Sequence, residues 1–344
     1  MNFNISVICE ACETQTNCRL GMSNRKHQPL QFRCQSCASP IDIIMTPDFE
    51  NIEIDIQVSG ATRIEAGMFE PEVNFVDLHL DFPVAFGEYK MGHTPFMQAS
   101  MRVGHEDMKI HALRVNYLND VYENERIIKE IFTLYSNDNK PLFKKKVLGF
   151  LNSTMECDTQ LDQNRALYHA IERSFFPFSE PKKNVDNVHL ITEKLMEMEG
   201  NDKDTLHFFI NEIVSNNFLK NIQTDCLEIY PRVIDIELML RPALFLDYDD
   251  SYLGDKVPFR VSAHEFVEVK DLYKDISEII SRALVLVAGI NNIIQRNSHD
   301  TFLSEKSAPK DLNKYADYPL GRKLDYIDNS WYPLDSDVLD NHLR

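Results

Sequence analysis

The chain has 344 residues and a mass of 40.0 kDa, longer than one ordinary domain, and 43% of it is hydrophobic, which is enough to bury real cores and excludes global disorder. Lys and Arg number 36 against 54 Asp and Glu, a net charge of -18, which excludes a surface that is basic throughout, as a coat for nucleic acid or a membrane must be. The start, MNFNISVICEAC, has neither the basic opening nor the apolar stretch of a signal peptide, and the longest dense apolar run, Ala283 to Ile290, lies inside an amphipathic pattern and is too short to cross a bilayer. A cytoplasmic protein with no membrane partner is expected.

Residues 1–45 hold five of the seven cysteines and carry a net charge of +1, so the remainder carries -19. Cys9 and Cys12 form one C-x-x-C pair, Cys34 and Cys37 another, with 21 residues between the pairs. A C-x-x-C turn aims both sulfurs at one point, and two such turns supply the four soft ligands that structural Zn²⁺ prefers. Two redox pairs or reduced buried thiols are the alternative. With short β-type flanks at Ile5 to Ile8 and Leu30 to Arg33, CEAC at 9–12 and CQSC at 34–37 resemble a zinc ribbon. That resemblance implies one structural Zn²⁺ on Cys9, Cys12, Cys34 and Cys37, with no open coordination position. Cys18 and His27 read as bystanders, and Cys157 and Cys226 as ordinary buried or half-buried thiols. Arg25, Lys26 and Arg33 are the candidate phosphate contacts of such a ribbon, against the plainer reading of a solvated loop.

Residues 46–117 read as an antiparallel β-rich module. Ile52, Ile54, Ile56 and Val58 alternate with polar residues, as do Val76, Leu78, Leu80 and Phe82. Leu113, Val115 and Tyr117 extend the same period-two reading to 109–117. His79, His93, His105 and His111 fall in this zone at spacings that follow no metal-ligand rule.

From 118 to 344 the apolar spacing lengthens to three and four, and a helical bundle is expected. Its helices are placed at 121–135, 141–151, 163–175, 187–198, 205–222 and 225–240. The strongest spans 265–296 on a stripe from Leu272 through Ile280 and Val287 to Ile294. Lys140 with Lys144, Lys145 and Lys146 is the one dense basic run and reads as the wet face of a helix. Asp247, Asp249 and Asp250 make an acidic cluster that reads as a solvated loop. Residues 297–335 read as a long polar connection, and a helix capped at Asp335 or Ser336 then runs into Leu343-Arg344, so the sequence is expected to be a piece of a longer chain.

The layout from about 205 onward, a long helix ending near Asn297, a polar connection and a capped helix, resembles the C-terminal part of HEPN-type proteins. These are helical, often dimeric ribonucleases of prokaryotic defence and toxin systems, and their motif pairs an Arg with a His a few residues later. Arg344 stands where that catalytic Arg would be, with the His beyond the last residue. Arg296 and His299 lie too close together to replace the pair and read as cations at a helix C-terminus. The resemblance implies a metal-independent endoribonuclease in the full-length protein, RNA as substrate, a homodimer through the helical region, and no activity in this chain, since the Arg lacks its acid–base partner. The expected fold class is α+β and multidomain: a small four-cysteine zinc ribbon, an antiparallel β-rich module, then a mostly α-helical bundle. A non-enzymatic zinc-ribbon adaptor that binds a protein or nucleic acid is the alternative. A hydrolase built on Asp247, Asp249 and Asp250 is a third reading.

Overall fold

A computed structural model describes residues 1–48, 51, 53–65, 72–179, 181–248, 266–303, 307–332, 334 and 339. The chain is α+β and forms two compact units. The first comprises residues 1–125 and the segment that begins at Asp235; the second comprises 126–234 and the segment that begins at Phe266.

The first unit opens with strands β1 (Asn2–Cys9), β2 (Gln15–Gly21), β3 (Gln28–Arg33), β4 (Pro40–Asp48), β5 (Glu53–Ser59), β6 (Ala61–Ile64), β7 (Asn74–Leu78) and β8 (Ala85–Gly87). They make two sheets, one of five strands in the order β6-β1-β2-β7-β8 and one of three in the order β3-β4-β5. Period-two burial explains the pairing. Ile5, Val7 and Leu20 of the first sheet share one core with Leu30, Phe32, Ile41, Ile43 and Met45 of the second. Strands on both sides of residue 45 therefore bury their apolar faces together. The sheets are not wholly antiparallel, because β2 and β7 run parallel, with Cys18 opposite Val76.

The strand expected over 109–117 is a helix. Helix α1 (Pro95–Glu123) starts on Thr94, whose hydroxyl accepts from the Met97 amide, has Pro95 in its first turn, and kinks at Gly104, where φ is 82°. Its buried residues include Met108, His111, Val115 and Leu118, a spacing of three and four. Leu113 and Tyr117, which suggested the two-residue period, are 59% and 56% exposed. His111 thus sits on a helix, and His79 lies just beyond β7.

Helix α1 is followed in the chain by α2 (Glu125–Ser136), α3 (Lys140–Leu151), α4 (Gln160–Phe175), α5 (Pro181–Asn201), α6 (Lys203–Ser215), α7 (Phe218–Asp235), α8 (Glu237–Phe245), α9 (Phe266–Arg296), α10 (Leu312–Ala316) and α11 (Leu320–Leu324). Three expected helices are each split, and the one at 121–135 divides at Asn124 between α1 and α2. Asn217, at φ 61°, ends the run between α6 and α7, and the 225–240 stretch divides into α7 and α8.

Helix α8 belongs to the first unit because its charges are buried there. Arg241, with no exposed side-chain surface, meets Glu237, Asp81 at 3.1 Å and Asn119 at 2.5 Å. Glu237 also accepts from Arg25 at 2.6 Å. Removing one member of such a buried set leaves an unpaired charge and costs about 3–5 kcal/mol.

In the second unit α9 is the central element. By length and hydropathy it is long and apolar enough to cross a membrane, but 61% of its apolar window is buried within the protein, as in a core helix. Val285, Ala288, Ile290 and Ile293 pack with Phe209 and Ile213 of α6 and Tyr315 of α10. Burial on nearly every side from Leu284 to Ile293 explains why this half reads as uniformly apolar. The helix ends at Asn297, left-handed at φ 53°, whose amide donates to Ile293 at 2.8 Å. The expected connection after it carries α10 and α11. The helix expected from 335 onward falls, Leu339 apart, outside the described residues.

These cores set two expectations. A methyl on Gly289 would stand 2.4 Å from Phe209 Cζ and 2.9 Å from both Cε atoms. Gly289→Ala therefore lowers stability by about 1–3 kcal/mol in urea unfolding, against the usual gain from Ala in a helix; a stabilised variant would contradict this packing. His111 is buried, which lowers its pKa from 6.5 to about 4. The unfolded chain takes up that proton below about pH 6.5 and the folded chain only below about 4, so stability is full above 6.5 and falls as pH drops towards 4. The loss is about 3 kcal/mol. Urea midpoints across that window should fall, and fall less in His111→Phe; equal slopes would count against a buried neutral imidazole.

Candidate metal centre

Two turns of the same construction hold the four cysteines. Cys9 ends β1, its amide donates to Thr14 O at 3.0 Å, and its carbonyl accepts from Glu13 at 2.9 Å. Cys34 follows β3, its amide donates to Ser39 O at 2.9 Å, and its carbonyl accepts from Ala38 at 2.9 Å. Glu13 and Ala38 occupy equivalent positions and both have φ of 59°, left-handed backbone that closes each turn. The hairpin β1–β2 lies in one sheet and β3–β4 in the other, so the cysteine pairs meet from different sheets.

All four sulfurs lie within 4.8 Å of one another. Cys9 Sγ is 3.6 Å from Cys37 Sγ, and Cys12 Sγ is 3.5 Å from Cys34 Sγ. A tetrahedral ion with metal–sulfur bonds of about 2.3 Å would place its sulfurs about 3.8 Å apart, so these separations fit zinc. Among the described residues this is the one group of His, Cys, Asp and Glu arranged to hold a metal. Four thiolates around one ion would complete a tetrahedron, the ligand set of structural sites.

Further contacts aim the turns. The Glu10 amide donates to Gly60 O at 3.2 Å, and Gln35 Nε2 donates to Phe75 O at 3.2 Å, tying one turn to the β5–β6 corner and the other to β7. Gly60 has φ of 77°, and a side chain there would come within 2.5 Å of Pro40 O. Thr14 Oγ1 is 3.3 Å from Cys12 Sγ, and Ser39 Oγ is 3.2 Å from Cys37 Sγ. Once the sulfurs are thiolates, only the hydroxyls can donate. The Ser39 hydroxyl is the main reason the Cys37 thiol is lowered to about 6, and Thr14 lowers Cys12 likewise. Burial raises the Cys34 thiol to about 11, so a cation is needed to hold all four as thiolates. Thr14 and Ser39 are missed when only the cysteines are read. The signal is the repeat C-x-x-C-x-[TS], present at both turns.

The other candidates are dispersed. Cys18 is buried in the β2 core, where burial drives its thiol upward, and His27 is exposed. Arg25 is only 4% exposed, bonded to Glu237 and stacked 3.8 Å over the Tyr122 ring, so it does not face a phosphate. Lys26 and Arg33 are exposed, but Lys26 lies in the bend before β3 and Arg33 ends that strand, so the length of β3, about 17 Å, runs between them. The three therefore form no common basic patch. His79 and His111 both meet Asp81, while His93 and His105 are exposed elsewhere. Asp247 pairs with Arg114 at 2.6 Å; Asp249 and Asp250 lie outside the described residues. In the basic run Lys144 pairs with Asp158 and Lys146 with Glu130, both at 2.5 Å.

At the end of α9, Arg296 donates to Thr301 O at 2.7 Å and Asn292 Oδ1 at 2.6 Å, while His299 stacks on Phe209 and lies 3.0 Å from Glu212. Both residues close the helix end. Arg344 lies outside the described residues. Comparison of the chain with protein-family models, curated proteins and solved structures finds no match, to HEPN-type proteins or to any other family.

The purified chain is expected to carry one zinc. Thr14→Ala with Ser39→Ala should lower its zinc affinity about 10–100-fold in a chelator competition while the protein stays folded. Unchanged affinity would remove the hydroxyls from the site.

Proposed function

We propose that this chain is a non-enzymatic adaptor. Its structural zinc locks two β-turns into one rigid edge, and that edge engages a protein partner. The carrying observation is the convergence of four cysteine sulfurs from two different sheets. An ion saturated by thiolates has no position for water or substrate, so its contribution is shape. The turn residues around it, Ala11, Glu13, Gln35 and Ser36, are exposed, as are Arg33 and Arg63 nearby. Acidic and basic groups of this kind side by side suit a protein surface better than a polyanion, which a chain of charge -18 repels. A reducing cytoplasm would keep the thiolates available to the metal.

The HEPN ribonuclease of a prokaryotic defence or toxin system remains a finer reading that depends on Arg344 and an acid–base partner. Nothing in the geometry of the described residues adds to it, and the adaptor is favoured.

The test is photo-crosslinking from residues 11 and 36 of the full chain in its source cells. One protein partner should be captured by wild type and lost with Cys34→Ser. Crosslinks chiefly to RNA, or cleavage of single-stranded RNA by the purified chain, would overturn the adaptor.

A further inference from the structure

The second unit contains a cleft of about 720 Å³ that the metal centre does not use. Its size lies within the range of small-molecule sites. Three helices begin at its wall. Asn139 and Lys140 open α3, Gln160 and Gln163 occupy the first turn of α4, and Leu219 and Lys220 open α7. Helix starts present amide N–H groups and the positive end of the helix dipole, which favour an anion. The α4 start is already capped by Thr159 and carries Asp162 in its first turn, and α3 has Pro141 at its second position and a Lys140 amide bonded to Asp138 O, so it is the start of α7 that offers an anion its dipole here. Asn139 contributes no side-chain cap to α3. The ends of α2 and α6 and the carboxylate of Asp138 also line the cleft, and Asp138 lies 3.6 Å from Lys140. Lys220 is exposed and its ammonium has no partner among the described residues, so it is the cation free to meet a ligand.

The inner wall is different. Gln163 is 4% exposed, yet its side-chain amide bonds to no described residue while lining the cleft. The amide opens on the cleft and is not sealed in the core, so it can bond a ligand that enters there. Around it the Tyr135 hydroxyl donates to Asn164 Oδ1 at 2.6 Å, Gln223 Oε1 lies 3.4 Å from the same hydroxyl, and Tyr135 meets Phe143 edge to face at 5.3 Å. The oxygens of Asn164 and Gln223 are thus engaged by Tyr135, and that of Asn164 by Gln160 as well, which leaves their N–H donors, while Gln163 offers both a donor and an acceptor. Such groups beside the Tyr135 ring match the edge and face of a nucleobase. A base at the amides with an anion at Lys220 and the start of α7 is the chemistry of a nucleoside phosphate.

We propose that this cleft binds a mononucleotide, with the base read by Gln163, Asn164 and Gln223 and the phosphate held by Lys220 and the start of α7. The site is independent of the zinc turns and of the adaptor reading.

Calorimetric titration of the full chain with AMP, GMP, CMP and UMP, the matching nucleosides and inorganic phosphate tests it. One nucleotide should bind with one-to-one stoichiometry, at least about tenfold tighter than its nucleoside. Lys220→Glu should remove that tenfold advantage and leave nucleoside binding unchanged. Gln163→Leu should weaken nucleotide and nucleoside alike. Because Lys220 is exposed, its variant keeps the test independent of folding. If none of the four nucleotides binds at about 1 mM, or if binding is indifferent to both variants, or if phosphate alone binds as tightly as the nucleotide, the proposal falls.

Discussion

Four sulfurs within 4.8 Å of one another are stable as thiolates only around a cation, and in this protein they come from two sheets. The rest of the first unit is arranged about that requirement. The apolar faces of the two sheets meet in one core that includes Cys9 and Cys34 themselves. The sulfurs therefore sit where the core runs out, and an ion held there would extend the joint between the sheets to an edge that side chains alone would leave open. The matching hydrogen bonds at Cys9 and Cys34, and the left-handed residue four positions after each, show one local solution used twice.

The same unit carries a second constraint of a different kind. Arg241 and Glu237 reach it from more than a hundred residues downstream and bind Asp81, Asn119 and Arg25. Buried charges of this sort add little net stability over an apolar core, but they fix which segments belong together, because a wrong pairing leaves a bare charge. The cysteine turns and the arginine cluster lie at opposite ends of β3. One end carries the four-sulfur cluster and the other is held by ion pairs.

What could be read from the sequence follows from range. The cysteine turns were legible because their chemistry is contained in four residues and the spacing between pairs. The long helix 266–296 was legible because its stripe is continuous. Residues 109–117 misled because Leu113, Val115 and Tyr117 alternate by accident, whereas the burial that decides the matter runs through Met108, His111, Val115 and Leu118. Arg25 looked like a phosphate contact because its partner, Glu237, is 212 residues away and nothing local announces it. The parallel pairing of β2 with β7 is likewise a long-range choice that alternation alone does not encode. The amide of Gln163 belongs to the same class, since the cleft it lines is built from helices far apart in the sequence.

The central claim is that a tetrathiolate ion joins the two sheets. X-ray absorption at the zinc edge of the purified chain tests it most directly. The account predicts four sulfur neighbours at about 2.3 Å and no nitrogen or oxygen bound to the metal. Bound nitrogen or oxygen, or a metal-free protein with Cys9, Cys12, Cys34 and Cys37 joined as disulfides, would contradict it.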